Sequence, residues 1–167
     1  MNRMQAPTDS LATAETGRPT AVPQGCTNFK LRQLMRVVAQ HYDTEMARCG
    51  LKTTQYSLLS HVLRLGPIRP GDLAVVMTMD ASTLTRNLRP LVDAGWVRLE
   101  SGPDARSRLV HITDAGRDKR AEAQKCWKVA QLALNERLGV ERVQALHLLV
   151  DDSLALLAGA GEVGDGE

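Results

Sequence analysis

Ser82, Thr85, Arg86 and Arg89 fall at i, i+3, i+4 and i+7, the spacing that gathers four side chains on one face of a helix. Thr83 follows Ser82 in the same stretch and joins the set. Hydroxyls and guanidiniums together suit one chemistry well. A guanidinium grips a guanine edge or a phosphate through two parallel hydrogen bonds, and a hydroxyl bonds phosphate or base. A merely solvated helix face usually mixes Glu with Lys; here only Asp93, at the far end of the stretch, is acidic.

A second basic group follows. Gly102-Pro103-Asp104 is turn chemistry, and Leu109-Val110-His111-Ile112 is strand chemistry. Arg106 and Arg108 lie between or beside them. The tip of a hairpin is exposed, so these cations do not fill a core. Next to a groove-reading helix, Arg106 could enter a narrow minor groove, with Asp104 two residues away to hold its guanidinium. Arg108, at the start of the strand, could touch phosphate. The alternative is that these charges simply keep the loop in solvent.

These side chains need elements to position them. Leu84, Leu88, Leu91 and Val92 form an apolar stripe opposite the Ser/Thr/Arg face, and Asp80 and Gly95 bound the helix. Pro90 lies deep inside it and removes one helical hydrogen bond, so a kink near Arg86 is expected. Upstream, Leu31, Leu34, Met35, Val38, Tyr42 and Met46 predict a first helix that Thr27 could cap and that ends at "CGL". Thr53 or Thr54 caps a second, and a short third covers about 71–77. "WVRLE" and "RLVHIT" read as two strands. Thr113 caps a long fifth helix to about Leu138, and a sixth runs over about 140–158. The order α-α-α-α-β-β-α-α is a mainly α fold with a small β-hairpin wing. It comprises a winged helix-turn-helix head over about 53–113 and flanking helices at about 27–50 and 114–158, within one domain spanning 26–158.

Composition narrows the class. The chain has 167 residues, 43% of them apolar but only 3% aromatic, so its core must be built from aliphatic side chains. Residues 1–25 are rich in Pro, Thr, Ala and Ser without period and read as a disordered arm; 159–167 read as a flexible acidic tail. All 21 basic residues precede Asp151, against 14 of the 19 acidic ones, a weak hint of a polyanionic partner. No signal segment or membrane span is visible, which predicts a cytoplasmic protein whose Cys26, Cys49 and Cys126 are thiols. The cysteines match no zinc spacing. No nucleophile–base pair, phosphate loop or HExxH stands at motif spacing, and His41, His61, His111 and His147 are scattered, so no enzyme, metal or cofactor is expected.

Three stretches, "GLKTTQYSLLSHV", "GDLAVVMTMDASTLTRNLRPLVDAGWV" and "DARSRLVHITDAG", together resemble the MarR family of bacterial winged-helix regulators over about 27–158. The resemblance implies an obligate homodimer on a pseudopalindromic operator in double-stranded DNA. It also implies relief of repression by a small phenolic or aromatic-acid effector bound between the dimer helices and the reading head. The family's wing arginine and aspartate fall on Arg106 and Asp104.

Two expectations remain about assembly and gating. The last helix carries Val140, Val143, Leu146, Leu148, Leu149, Val150, Leu154, Leu156 and Leu157, more than one stripe, so a second chain should cover part of it. Candidate effector contacts are His41, Tyr42, Arg48, Tyr56 and His61; each could equally be packed or exposed with no ligand role. An alternative gate is cysteine oxidation at Cys26 or Cys49. One branch of the family senses organic peroxides near the start of its first helix, but counting back from "TTQY" that position falls on Asn28, two residues beyond Cys26.

Overall fold

The helical spacing of apolar residues from Leu31 to Met46 produces α1 (Thr27–Met46). The computed structural model describes residues 24–102 and 107–159, so most of the arm and the acidic tail lie outside the described residues. The N-cap of α1 is Cys26, in extended conformation, one residue before the expected Thr27. A 3-10 turn (Ala47–Cys49) tightens the C-terminal end, and Gly50 leaves it at φ 67°, a left-handed conformation that glycine adopts without a Cβ clash.

Helix α2 (Thr53–Leu65) has Lys52 as its N-cap, so neither Thr53 nor Thr54 caps it. The orphan donors of its first turn are met otherwise. Gln55 Oε1 accepts from the Lys52 amide at 2.8 Å. Asp43 of α1 accepts from both the amide and the hydroxyl of Thr53. The expected threonine cap is replaced because a carboxylate from the neighbouring helix reaches the same donors.

Helix α3 (Pro70–Val76) starts at Pro70 rather than near Gly71, since proline's fixed φ and missing N–H suit a first helical turn. Helix α4 (Ala81–Asp93) runs unbroken past Pro90. Strands β1 (Val97–Ser101) and β2 (Arg108–Ile112) pair antiparallel, with Val97 opposite Ile112 and Ser101 opposite Arg108. Ile68, between α2 and α3, exchanges both backbone hydrogen bonds with Val110, a third rung that the strand pattern did not reveal.

Helix α5 (Asp114–Leu138) starts as the sequence predicts: Thr113 Oγ1 accepts from the Gly116 amide at 3.0 Å. The same hydroxyl donates to the Gly95 carbonyl at 2.7 Å, tying the α5 start to the end of α4. Gly116 lies so close to the Trp96 carbonyl that a Cβ would stand 2.0 Å from its oxygen. This is a physical reason for glycine in "ITDAG". Helix α6 (Val140–Gly159) follows after Gly139.

The core lies in the head. Leu58, Leu59 and Val62 of α2, Leu73 of α3 and Leu91 of α4 are fully buried together with Val110 of β2. Burying each such side chain is worth about 1.5–3 kcal/mol. Ala123 and Ala130, also fully buried, let other helices approach α5 closely. Tyr56 stacks on Trp127 with ring centroids 6.1 Å apart. Away from the head the apolar pattern is left open. On α1, Phe29, Leu31 and Met35 are exposed; on α6, Leu148, Leu149, Leu154, Leu156 and Leu157 are exposed, and only Val143 is buried.

Candidate nucleic-acid interface

Helices α3 and α4 pack on each other, α4 packs on α2, and β1 and β2 pack against α4 and α2 respectively. The hairpin therefore extends directly from the base of the helix with the basic face. Leu84, Leu88 and Leu91 are buried and Val92 half-buried, which fixes how α4 is rotated. That rotation leaves Ser82, Thr85, Arg86 and Arg89 exposed and Thr83 half-buried, so the five side chains do share the outward side of one helix.

Their hydrogen bonds separate them into two roles. Asp80 is the N-cap of α4 and accepts from the Thr83 amide at 2.7 Å. It also accepts from the hydroxyls of Ser82 and Thr83 at 2.5 and 2.7 Å. Thr85 donates its hydroxyl to the Ala81 carbonyl at 2.8 Å. Each hydroxyl has a single proton, so all three are already used within the helix. A Ser or Thr here can accept from a partner, but must break an internal bond to donate to phosphate. The Ser82 hydroxyl and the Thr83 amide and hydroxyl together hold the Asp80 carboxyl well below the usual carboxylate range. A charged carboxylate thus stands at the edge of the basic face, which spacing within the helix did not show.

The arginines carry the remaining donor capacity. Among the described residues, Arg86 meets a neighbouring hydroxyl, Thr83 Oγ1, at 3.5 Å. Arg89 leans on Asp93 at 3.8 Å, with both side chains mostly exposed, a contact worth little in water. In the wing, Arg108 is exposed at the first position of β2. Asp104 and Arg106 lie outside the described residues. Gly102 and Ser107 close the base of the loop with an amide-to-carbonyl bond of 2.8 Å. Arg98, not singled out from sequence, is exposed on β1 and paired with Glu100 at 2.8 Å. The carboxylate of Glu100 also meets His111 Nε2 at 3.2 Å.

The five effector candidates do not converge. His41 Nε2 donates to the Ala130 carbonyl at 2.8 Å, and the Tyr42 hydroxyl donates to Gln131 Oε1, so both act as struts between α1 and α5. Burial raises the pKa of Tyr42. Arg48 is exposed and paired with Glu45 at 3.0 Å. Tyr56 is buried under Arg120, whose guanidinium lies 5.7 Å from its ring. His61 lines an open cleft of about 380 Å³ with Ser60, Leu63, Arg64 and Arg120. Its Nδ1 donates to the Ser57 carbonyl at 2.8 Å, which leaves Nε2 for a ligand. Arg120, which no local pattern marked, reaches the cleft from α5 and bonds Ser60 Oγ at 3.2 Å and Gln124 Oε1 at 2.7 Å.

Cys26 is exposed at the start of α1, Cys49 is buried, and Cys126 is half-buried; all three are free thiols. Among the described residues, no group of three or more His, Cys, Asp or Glu side chains is placed to hold a metal ion. None of their helices is long and apolar enough to cross a membrane.

Comparison with known proteins agrees with this geometry. The model of the MarR family matches residues 50–107, the head from the end of the first turn to the wing. The chain is 28% identical over 93 residues to the uncharacterised HTH-type transcriptional regulator YwoH of Bacillus subtilis, covering 56% of this chain and 68% of that one. It is 29% identical over 96 residues to the multiple antibiotic resistance protein MarR of Salmonella typhimurium, covering 57% and 65%. Among solved structures, the Mycobacterium tuberculosis regulator MosR in complex with DNA matches 83% of this chain and 100% of its own at 28% identity and a TM-score of 0.67. A variant of Escherichia coli MarR complexed with operator DNA shares the fold at 22% identity, covering 76% and 92%, with a TM-score of 0.70. The head of the chain, residues 50–107, is thus similar to the MarR family, and the whole chain has the winged helix-turn-helix fold of MarR-type transcriptional regulators.

Proposed function

We propose that the chain is a sequence-specific repressor that binds a pseudopalindromic operator as a homodimer and is released by a small aromatic or phenolic acid. One observation carries the DNA reading. The apolar stripe of α4 is buried, and its opposite side holds Arg86 and Arg89 exposed beside a hairpin that carries Arg108. In this reading α4 lies in the major groove, Arg86 reads a base edge, Ser82, Thr83 and Thr85 line the backbone, and Arg108 meets phosphate. Arg106 enters the minor groove, positioned by Asp104. MosR and a variant of MarR, similar to this chain in fold, have been solved in complex with DNA.

The dimer is supported by the exposed leucines of α6 and the exposed apolar residues of α1, the kind of surface that a partner covers. In this reading the effector binds in the cleft of His61 and Arg120, beside Leu63, where the Arg120 guanidinium lies over Tyr56. A carboxylate would meet the cation and a ring the apolar side. His41 and Tyr42 tie α1 to α5 nearby.

Selection of bound duplexes from a random-sequence pool tests the DNA reading. The expected product is an inverted repeat with half-sites centred about one helical turn, roughly 10 base pairs, apart. Recovery of no enriched sequence would overturn it.

A further inference from the structure

Thr113 stands where the hairpin returns the chain to the helices, and its hydroxyl works in two directions. As the N-cap of α5 it accepts from the Gly116 amide at 3.0 Å. As a donor it faces the Gly95 carbonyl at 2.7 Å, with the Trp96 carbonyl at 3.1 Å as a second acceptor. The Thr113 amide adds a bond to the same Trp96 carbonyl at 3.0 Å. Gly95 and Trp96 close α4: their own amides bond back to the Val92 and Leu91 carbonyls, each at 2.9 Å. The first turn of α5 is therefore fastened to the last turn of α4, and the Trp96 carbonyl sits against Gly116 with no room for a Cβ between them.

We propose that Thr113 is a positioning residue for operator recognition: it fixes the angle between α4 and α5, and so sets the half-site spacing that the dimer accepts.

The inference rests on the function proposed above. The 25 residues of α5 span about 37 Å. The basic face of α4 lies at one end of this rod, and α6, with its open leucines, follows from the other. A tilt of about 10° at the Thr113 joint moves the far end by about 6 Å, close to two base-pair steps of about 3.4 Å. Two half-sites one helical turn apart do not tolerate such a shift without loss of contacts. Helix α2 also meets α5, through Tyr56 on Trp127 and Ser60 on Arg120. Those contacts place α2; the Thr113 bonds are the directional ones to the end of α4.

The two roles of the hydroxyl are chemically separable. Serine keeps both the acceptor and the proton. An ionised aspartate is a good N-cap for the Gly116 amide but has no proton for the Gly95 carbonyl. Valine copies the shape of threonine and supplies neither.

The test uses the full chain on a selected operator and on duplexes whose half-sites are one base pair closer together or further apart. Wild type and Thr113→Ser are expected to lose at least about ten-fold in affinity on both altered spacings. Thr113→Asp should fold and dimerise like wild type, by circular dichroism and sedimentation, yet bind all three spacings within about three-fold of one another. Repulsion between the new carboxylate and DNA would weaken the three alike and leave their ratio unchanged. The uncharged Thr113→Val should lose the spacing preference too, and it decides the matter if Thr113→Asp does not fold. Asp and Val variants that keep the wild-type preference would overturn the positioning role and leave Thr113 a helix cap. Wild type indifferent to spacing would overturn the rigid joint itself. A wild-type protein that selects no operator would instead contradict the proposed function, and this inference with it.

Discussion

The carboxylate of Asp43 in α1 holds the first turn of α2 through Thr53. Its Oδ1 accepts from the Thr53 amide at 2.8 Å and from the Thr53 hydroxyl at 2.6 Å. One side chain thus joins the helix that precedes the head to the helix that begins it. Asp43→Ala removes the acceptor for an orphan helix donor and should cost about 1–2 kcal/mol. Urea denaturation measures this loss. Thr53→Ala keeps the amide bond and should cost less; an Asp43→Ala variant as stable as wild type would show that the contact contributes nothing.

Asp80 gives α4 a pH-dependent start. Hydrogen bonds from the Ser82 hydroxyl and from the Thr83 amide and hydroxyl hold its carboxyl below the ordinary value. A carboxyl depressed in the folded state contributes its full stabilisation above the unfolded pKa of about 4, and loses it as pH falls through the lower folded value. The cap should therefore be intact at every physiological pH and weaken only in strong acid. Asp80→Asn should flatten this acid limb in a pH series of thermal unfolding while keeping a capping oxygen. An unchanged acid limb in Asp80→Asn would assign the acid sensitivity elsewhere.

The open leucines of α6 predict assembly. Leu149→Glu with Leu156→Glu places two charges on exposed apolar positions of this helix. Sedimentation at micromolar concentration should show a dimer for wild type and a monomer for the pair. A variant that stays dimeric would move the interface off α6.

Gating should localise to the cleft shared by α2 and α5. An aromatic acid can release DNA only if it prefers the form that does not fit the operator. A 100-fold loss of affinity needs about 2.7 kcal/mol of coupling. His61→Ala is expected to blunt release by a responsive aromatic acid at least ten-fold in effector concentration while leaving operator affinity unchanged. Titration of operator complexes with a panel of such acids reads this directly. A full response in His61→Ala would place the effector in another site.

Features that depend on neighbours along the chain were legible in the sequence. The α4 stripe and its Asp80 cap, the two hairpin strands and the Thr113 cap each arise within a few residues, where period and turn chemistry act. Contacts across elements were not. Asp43 displaced the expected threonine caps of α2 from ten residues away. Ile68 joined Val110 across three elements. His41 and Tyr42 looked like ligand contacts because they are polar residues on an apolar helix, but α5 supplies partners for both. Arg120 carried no local signal, and only the packing of α5 brings it to His61.

The central claim is that α4 reads bases while the wing holds the backbone. It is tested most directly by measuring affinity for a selected operator and its single-base variants, across a salt series, for wild type, Arg86→Ala and Arg108→Ala. Arg86→Ala should lose about 1–3 kcal/mol and relax preference at one base pair per half-site. Arg108→Ala should weaken all sequences alike and flatten the salt dependence. An Arg86→Ala protein that keeps the full base preference of wild type would contradict the placement of α4 in the groove.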